Sequence, residues 1–350
     1  MRTTTPMRAT AAAVAALTAL SLSACRDSRG GGGGGTDGGT VKIMVGGIDK
    51  VIYLPAKLTE QLGYFKEQGL KVQLLTEPAG AQAENVLISG GVQGVVGFYD
   101  HSIQLQTKGK CVQSVVQMAD VPGEAEMVST GKAGSLTSPA GFKGKKLGVT
   151  SPGSSTDFLT RALAVRNGVK TSDYSTVKAG AGQTFMSTMD NGGIDAGMTT
   201  DPTIAKLVST GKAKVMVEMR TEEGTRKALG GLYPSSSLYM DCSYVKSNGE
   251  TVQKLANAFV KTLGWIKQHK PAEIAAKMPA DYAGGDPKLY EKAIGDSISM
   301  FNGDGVMKTD AAENALKVLA QFSPEVSEKK DEIDLSKTYT TQFVTKAKQS

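Results

Sequence analysis

Apolar positions along this chain switch repeatedly between two periods. Short runs of strand character, such as VKIMV at 41–45, give way to stretches whose apolar residues recur three and four apart, and the exchange then repeats. The pattern predicts strands at 41–45, 72–75, 94–98 and 111–118, with helices at 51–65, 81–89 and 101–108 between them. Residues 119–132 are polar and turn-rich and read as a crossing into a second series. That series has strands at 146–149, 175–178, 196–199 and 213–217, and helices at 183–191 and 202–209. Residues 236–241 read as a strand rejoining the first series, and helices follow at 251–268, 271–277, 287–301, 311–322 and 336–347. Strands alternating with helices predict an α/β chain with parallel, doubly wound sheets and right-handed crossovers. Two crossings between two such series predict a hinge and a cleft between two lobes. Ligands of these sheets sit beyond the carboxyl ends of the strands, which directs attention to residues 46–50 and 98–101.

The second series is centred on KKLGVTSPGSSTDFLTRALAVR, residues 145–166, which passes from a strand through a turn into an amphipathic helix. Ser154, Ser155 or Thr156 is positioned to cap that helix, with Asp157 in its first turn. First-turn N–H groups lack intrahelical partners and lie at the positive end of the dipole, so an oxyanion can dock there without a formal cation. The plainer reading is an ordinary strand-to-helix turn whose hydroxyls only cap. Residues 148–155 mimic a phosphate loop, but Ser154 stands where the phosphate-reading lysine belongs, so nucleotide hydrolysis is excluded.

The N-terminus changes the picture. Arg2 and Arg8 precede an apolar stretch, residues 9–22, too short to span a bilayer, and residues 1–24 therefore read as a signal peptide. Leu22-Ser23-Ala24-Cys25 resembles the bacterial lipoprotein cleavage box, which implies that Cys25 becomes the lipidated first residue. The Gly-rich residues 25–40 read as a flexible tether. The expected product is extracytoplasmic, lipid-anchored to the outer face of the bacterial cytoplasmic membrane. A plain secretory signal with a chance cysteine is the alternative.

Removing residues 1–24 takes away two arginines and no acids, so the formal charge falls from +6 to +4 among 40 basic and 34 acidic residues. That mild excess, without basic runs interleaved with aromatics, excludes nucleic acid as the partner. With Cys25 lipidated, Cys111 and Cys242 remain as an even pair in an oxidising compartment, either bonded to each other or held as two buried thiols. More than 300 residues exceed what one core usually serves, which again predicts two lobes.

Residues 63–72, G-Y-F-K-E-Q-G-L-K-V, resemble the signature between the first helix and second strand of ABC-importer substrate-binding proteins of the nitrate, sulfonate and taurine type, a group that includes binders of thiamine-pyrimidine precursors. Residues 192–197, G-G-I-D-A-G, and 339–344, Y-T-T-Q-F-V, also resemble that group. The likeness spans almost all of residues 41–345. It implies a type II periplasmic-binding-protein-like fold, two doubly wound sheets joined by a two-stranded hinge. Residues 41–119 and 236–350 would form lobe I and residues 120–235 lobe II. It also implies a monomer that hands a small solute to an ABC permease and its ATPase, with no catalysis, cofactor or metal.

Candidate ligand contacts lie on or just past strand tips: Asp49, Lys50, Tyr53, Tyr99, Asp100 and His101 in lobe I, and Ser151, Ser154, Ser155, Thr156, Gln183, Thr200 and Asp201 in lobe II. Each has a plain alternative: Tyr53 in the core, His101 as a helix cap, Asp201 as the N-cap before Pro202, Lys50 as a solvated loop charge. Hydroxyls at 154–156 suit a sulfonate, carboxylate or phosphate, but Asp49, Asp100 and Asp201 would repel a bare anion. A zwitterion such as taurine, or a ligand with a cationic or amide part, suits both signs. An enzyme on the same scaffold, a hydrolase or a pyrimidine-precursor synthase, is the competing class. Against it, G-x-S-x-G is missing near the turn and only His101 and His269 are available as bases. The Cys-rich segment that the synthases carry for iron is missing as well. A ligand-sensing lipoprotein is a third reading.

Overall fold

The computed structural model describes residues 39–347. The expected signal peptide, Cys25 and most of the tether lie outside the described residues. Ten strands form two five-stranded sheets. Strands β1 (Val41–Val45), β2 (Val72–Thr76), β3 (Gly94–Phe98) and β4 (Val112–Gln117) belong to the first. Strands β5 (Glu124–Ser129), β6 (Lys146–Val149), β7 (Ser175–Lys178), β8 (Ala196–Thr200) and β9 (Ala213–Met219) form the second. Strand β10 (Ser236–Asp241) returns to the first sheet, giving the orders β2-β1-β3-β10-β4 and β7-β6-β8-β5-β9. In each sheet the βαβ strands run parallel, whereas β10 and β5 insert antiparallel to their neighbours. The result is the two-lobed, doubly wound fold that the alternation of periods predicts.

The chain passes between the sheets along residues 118–123 and 230–235, and the two passages are hydrogen-bonded to each other. Ser235 N donates to Ala119 O at 3.0 Å, and Ser235 Oγ donates to Val121 O at 2.6 Å. The C-terminal helices also reach across to the second lobe. Helix Gly249–Gln268 packs on β4, while helix Pro287–Ser297 touches both the Val51–Tyr53 turn and helix Thr203–Ser209 of the second lobe.

Several expected elements differ. Strand β5 falls inside the stretch read as a polar crossing, because Glu124 and Glu126 alternate with Ala125 and Met127 and all four are buried. The single helix expected at 51–65 is a 3-10 turn, then Leu54–Gln61, then Tyr64–Glu67, broken where Gly63 adopts φ +78°. The helix expected at 336–347 is reduced to Gln342–Lys346, since Tyr339 pairs with Ser114 as a bridge on β4. Cys111 and Cys242 are joined by a disulfide across the neighbouring ends of β4 and β10, with Cα atoms 5.4 Å apart. No helix among the described residues is long and apolar enough to cross a membrane.

Candidate functional site

The strand tips of the two lobes face each other around a buried set of charges. Lys50 follows β1, and its ammonium folds back to donate to Gly46 O at 2.7 Å and Pro78 O at 3.0 Å. This is possible because Gly47 has φ +114° and no side chain; a Cβ there would lie 2.4 Å from Lys50 Cε. Burial lowers the Lys50 pKa to about 8, against the opposing pull of the Glu124 and Asp49 carboxylates. Across the cleft, Glu124 at the start of β5 is pushed up to about 8 by burial, with Lys50 working against the shift and Asp100 adding to it. Ser155 Oγ donates to Glu124 Oε1 at 3.4 Å, while Glu124 Oε2 is buried without a partner.

Asp100, at the tip beyond β3, is fully buried, and burial raises its pKa although His101 and Tyr233 oppose this. Tyr233 OH donates to Asp100 Oδ2 at 2.8 Å and Oδ1 has no partner. His101 Nδ1 lies 2.6 Å from Glu84 Oε2. Burial disfavours the charged ring, yet the Glu84 carboxylate outweighs it and the net shift is upward. His101 Nε2 points at Gly80, where a Cβ would approach to 2.8 Å. Glu126, behind Glu124 on β5, is buried and held well above the ordinary carboxylate range. Among the described residues no group of three or more His, Cys, Asp or Glu is arranged to hold a metal ion.

Of the residues singled out from the sequence, Lys50, Tyr53, Asp100 and Ser155 come together around Glu124: the Lys50 and Asp100 charges act on it, Ser155 donates to it, and burial together with the Glu124 carboxylate keeps the Tyr53 phenol neutral. Ser154 bridges the lobes, its Oγ accepting from Ala81 N at 3.2 Å. Thr156 is turned inward, accepting from Thr150 N at 3.0 Å. The start of helix Ser155–Arg166 already holds an anion of its own: buried Asp157 accepts from Gly153 N at 2.8 Å and from Arg161 Nε at 2.9 Å. Ser151 is half-buried and Asp49 is exposed on its loop.

Four others are placed elsewhere. Tyr99 is hydrogen-bonded to Thr338 Oγ1 at 2.6 Å and packs edge-on against Tyr339, so it faces the C-terminal segment. Thr200 Oγ1 donates to Gly123 O at 2.9 Å in the interlobe passage. Gln183 is exposed on its helix and donates to Ser187 Oγ at 3.1 Å. Asp201 spends its carboxylate on Ala205 N at 3.0 Å, Arg220 Nη1 at 2.8 Å and Ser297 Oγ at 2.7 Å, and its carbonyl accepts from Val51 N at 3.0 Å. It ties the lobes together and has little left for a ligand. Sequence reasoning missed Glu124, Glu84 and Tyr233. For Glu124 and Glu126 the signal was present, as carboxylates in step on one side of a period-two run, but acids in such a run read as solvent-facing.

This fold is that of the periplasmic-binding-protein-like two-lobed proteins. The chain belongs to the NMT1/THI5 like family, whose model matches residues 53–274, the group to which the motif at 63–72 points. A solved structure from Bordetella bronchiseptica RB50 is 34% identical with a TM-score of 0.83, covering 87% of this chain and 96% of that one. The alkanesulfonate-binding protein SsuA from Xanthomonas axonopodis pv. citri, solved bound to MOPS, shares the fold at 16% identity and a TM-score of 0.68, covering 86% of this chain and 98% of that one. A 4-amino-5-hydroxymethyl-2-methylpyrimidine phosphate synthase of Saccharomyces cerevisiae is 28% identical over 146 residues, 42% of each chain. The match thus spans less than half the length of that curated relative.

Proposed function

We propose that the chain is the extracytoplasmic solute-binding component of an ABC importer, closing its two lobes on a small organic solute and presenting the closed form to the permease. Residues 41–119 and 236–350 act as lobe I and residues 120–235 as lobe II, with Cys25 as the lipid anchor and residues 25–40 as the tether. The solute contacts are Lys50, Tyr53, Asp100, Glu124 and Ser155. One observation carries the reading: Asp100 Oδ1 from one lobe and Glu124 Oε2 from the other are buried carboxyl oxygens without partners, and the Lys50 ammonium acts on Glu124. A buried polar oxygen left unpaired costs about 1–3 kcal/mol, so a solute whose edge offers both a donor and an acceptor, the donor to Asp100 and the acceptor to the protonated Glu124 carboxyl, recovers that energy only when the lobes close. The site therefore favours a zwitterion, or a ligand with a cationic or amide-like edge, over a bare nitrate or alkanesulfonate.

The synthase reading has the yeast similarity in its favour. It is the weaker one here, because the two cysteines inside the described body are consumed in a disulfide and His101 is committed to Glu84. A thermal-shift screen across taurine, nitrate, alkanesulfonates, amino-substituted pyrimidines and aromatic acids tests the proposal, since anything that binds only the folded form raises the melting temperature. A donor-bearing or zwitterionic solute is expected to stabilise the protein, with the shift lost in Glu124→Ala. Stabilisation by nitrate or simple alkanesulfonates alone would overturn the assignment.

A further inference from the structure

A cavity lies between lobe II and the C-terminal helices, and none of Lys50, Tyr53, Asp100, Glu124 and Ser155 lines it. It is lined from lobe II by Met186, Pro202 and Lys206, and from the C-terminal helices by Tyr282, Leu289 and Tyr290; it is open on one side and has a volume of about 240 Å³. The chain turns tightly between them: Gly284 and Gly285 both have positive φ, +54° and +82°, and Tyr282, Asp286 and Tyr290 on either side of that turn all line the wall.

The wall is mostly apolar, and its one cation is unopposed: Lys206 has no carboxylate within ion-pair distance among the described residues. Asp286, the one acid on the wall, is turned to its own helix, accepting from Leu289 N at 3.0 Å. Cavities of roughly 150 Å³ with apolar walls are large enough to take benzene. We propose that this cavity binds a small aromatic carboxylate, its ring between Tyr282, Tyr290 and Met186 and its carboxylate on the Lys206 ammonium. Because both lobes line it, such a molecule favours the closed form, and it does so from outside the cleft that takes the transported solute. Binding itself does not depend on the transport reading, so the two stand or fall separately.

The test uses benzoate and its uncharged analogue benzyl alcohol as probes, with binding followed by ligand-observed NMR. Benzoate is expected to bind saturably, to weaken about tenfold in Lys206→Ala, as the loss of one charge-assisted contact implies, and to lose binding in Met186→Trp, which fills the cavity. Benzyl alcohol should be indifferent to Lys206→Ala and excluded by Met186→Trp. The melting temperatures of both variants without ligand check that the body stays folded, and Met186→Leu, which keeps the cavity, should retain binding. Absence of saturable benzoate binding to the native chain overturns the proposal. So does binding that survives Met186→Trp but disappears in Lys50→Ala, an outcome that would place the aromatic acid in the central cleft and leave the import reading intact.

Discussion

At the level of single residues, the charge balance of the cleft follows from one backbone choice. Gly47 turns at φ +114° and leaves room for Lys50 to fold back onto Gly46 O, so that a lysine of ordinary loop composition becomes a buried cation opposite Glu124. A lysine four residues beyond a strand reads equally well as solvated, and only three-dimensional closure supplies the acid that faces it. The sequence therefore pointed to Lys50 and Asp100 by position but could not show their common partner. The pair has a measurable consequence. Between about pH 4.5 and 8 an unfolded glutamate gives up its proton while buried Glu124 keeps it, so this group's contribution to stability falls as pH rises through that window. Lys50 works from the other side: below 10.5 the unfolded lysine is protonated, whereas the buried one is protonated only below about 8, so its contribution falls as pH drops across that range. The native protein should be least favoured near pH 8. Glu124→Gln removes the acidic limb, and its stability relative to the native chain should rise by a few kcal/mol between pH 5 and 8 in urea melts. Parallel pH profiles for the two proteins would show that Glu124 is ionised and solvated after all.

At the level of elements, the strand-turn-helix of residues 145–166 was readable because both periods agree; Ser154 occupies the N-cap with extended φ and ψ, but its hydroxyl makes no capping bond and accepts from Ala81 N instead. Its chemistry was not readable. Asp157 is one of the first-turn acids that helices favour in general, and nothing in its type distinguishes a dipole-complementing surface acid from one buried against Gly153 N and Arg161. Strand β5 was hidden for a related reason, since its two glutamates look like solvent-facing residues yet both are buried. The disulfide between the ends of β4 and β10 belongs to this scale too, because it fastens the returning strand to the one that left the lobe 131 residues earlier. Cross-linking across so long a loop removes much of the unfolded chain's freedom, so Cys111→Ala with Cys242→Ala should cost about 2–5 kcal/mol in denaturant unfolding. An unchanged midpoint would mean that the unfolded state is already compact around that link.

Across the whole molecule, the two-lobe plan was visible in the doubled αβ series, whereas the contacts that hold the lobes together, Ser154 to Ala81 and Asp201 to Ser297, join residues 73 and 96 positions apart, beyond the reach of any local pattern. Asp201 is the centre of that fastening: it follows β8, takes Arg220 from just beyond β9, and accepts from Ser297 on the helix that also touches the Val51–Tyr53 turn of lobe I. An aspartate before proline at a strand tip reads as either a cap or a ligand contact, and here its oxygens reach across the cleft instead. Ser297→Ala tests this directly, because it deletes the interlobe hydrogen bond while Arg220 still neutralises the buried carboxylate. We expect about 1 kcal/mol of lost stability, a several-fold weaker affinity for whichever solute stabilises the native chain, and a larger radius of gyration by small-angle scattering. A change in stability with no change in affinity or radius would reduce Asp201 to a local brace within lobe II, and closure would then have to rest on the Ser154–Ala81 contact and on the Lys50–Glu124 pair itself.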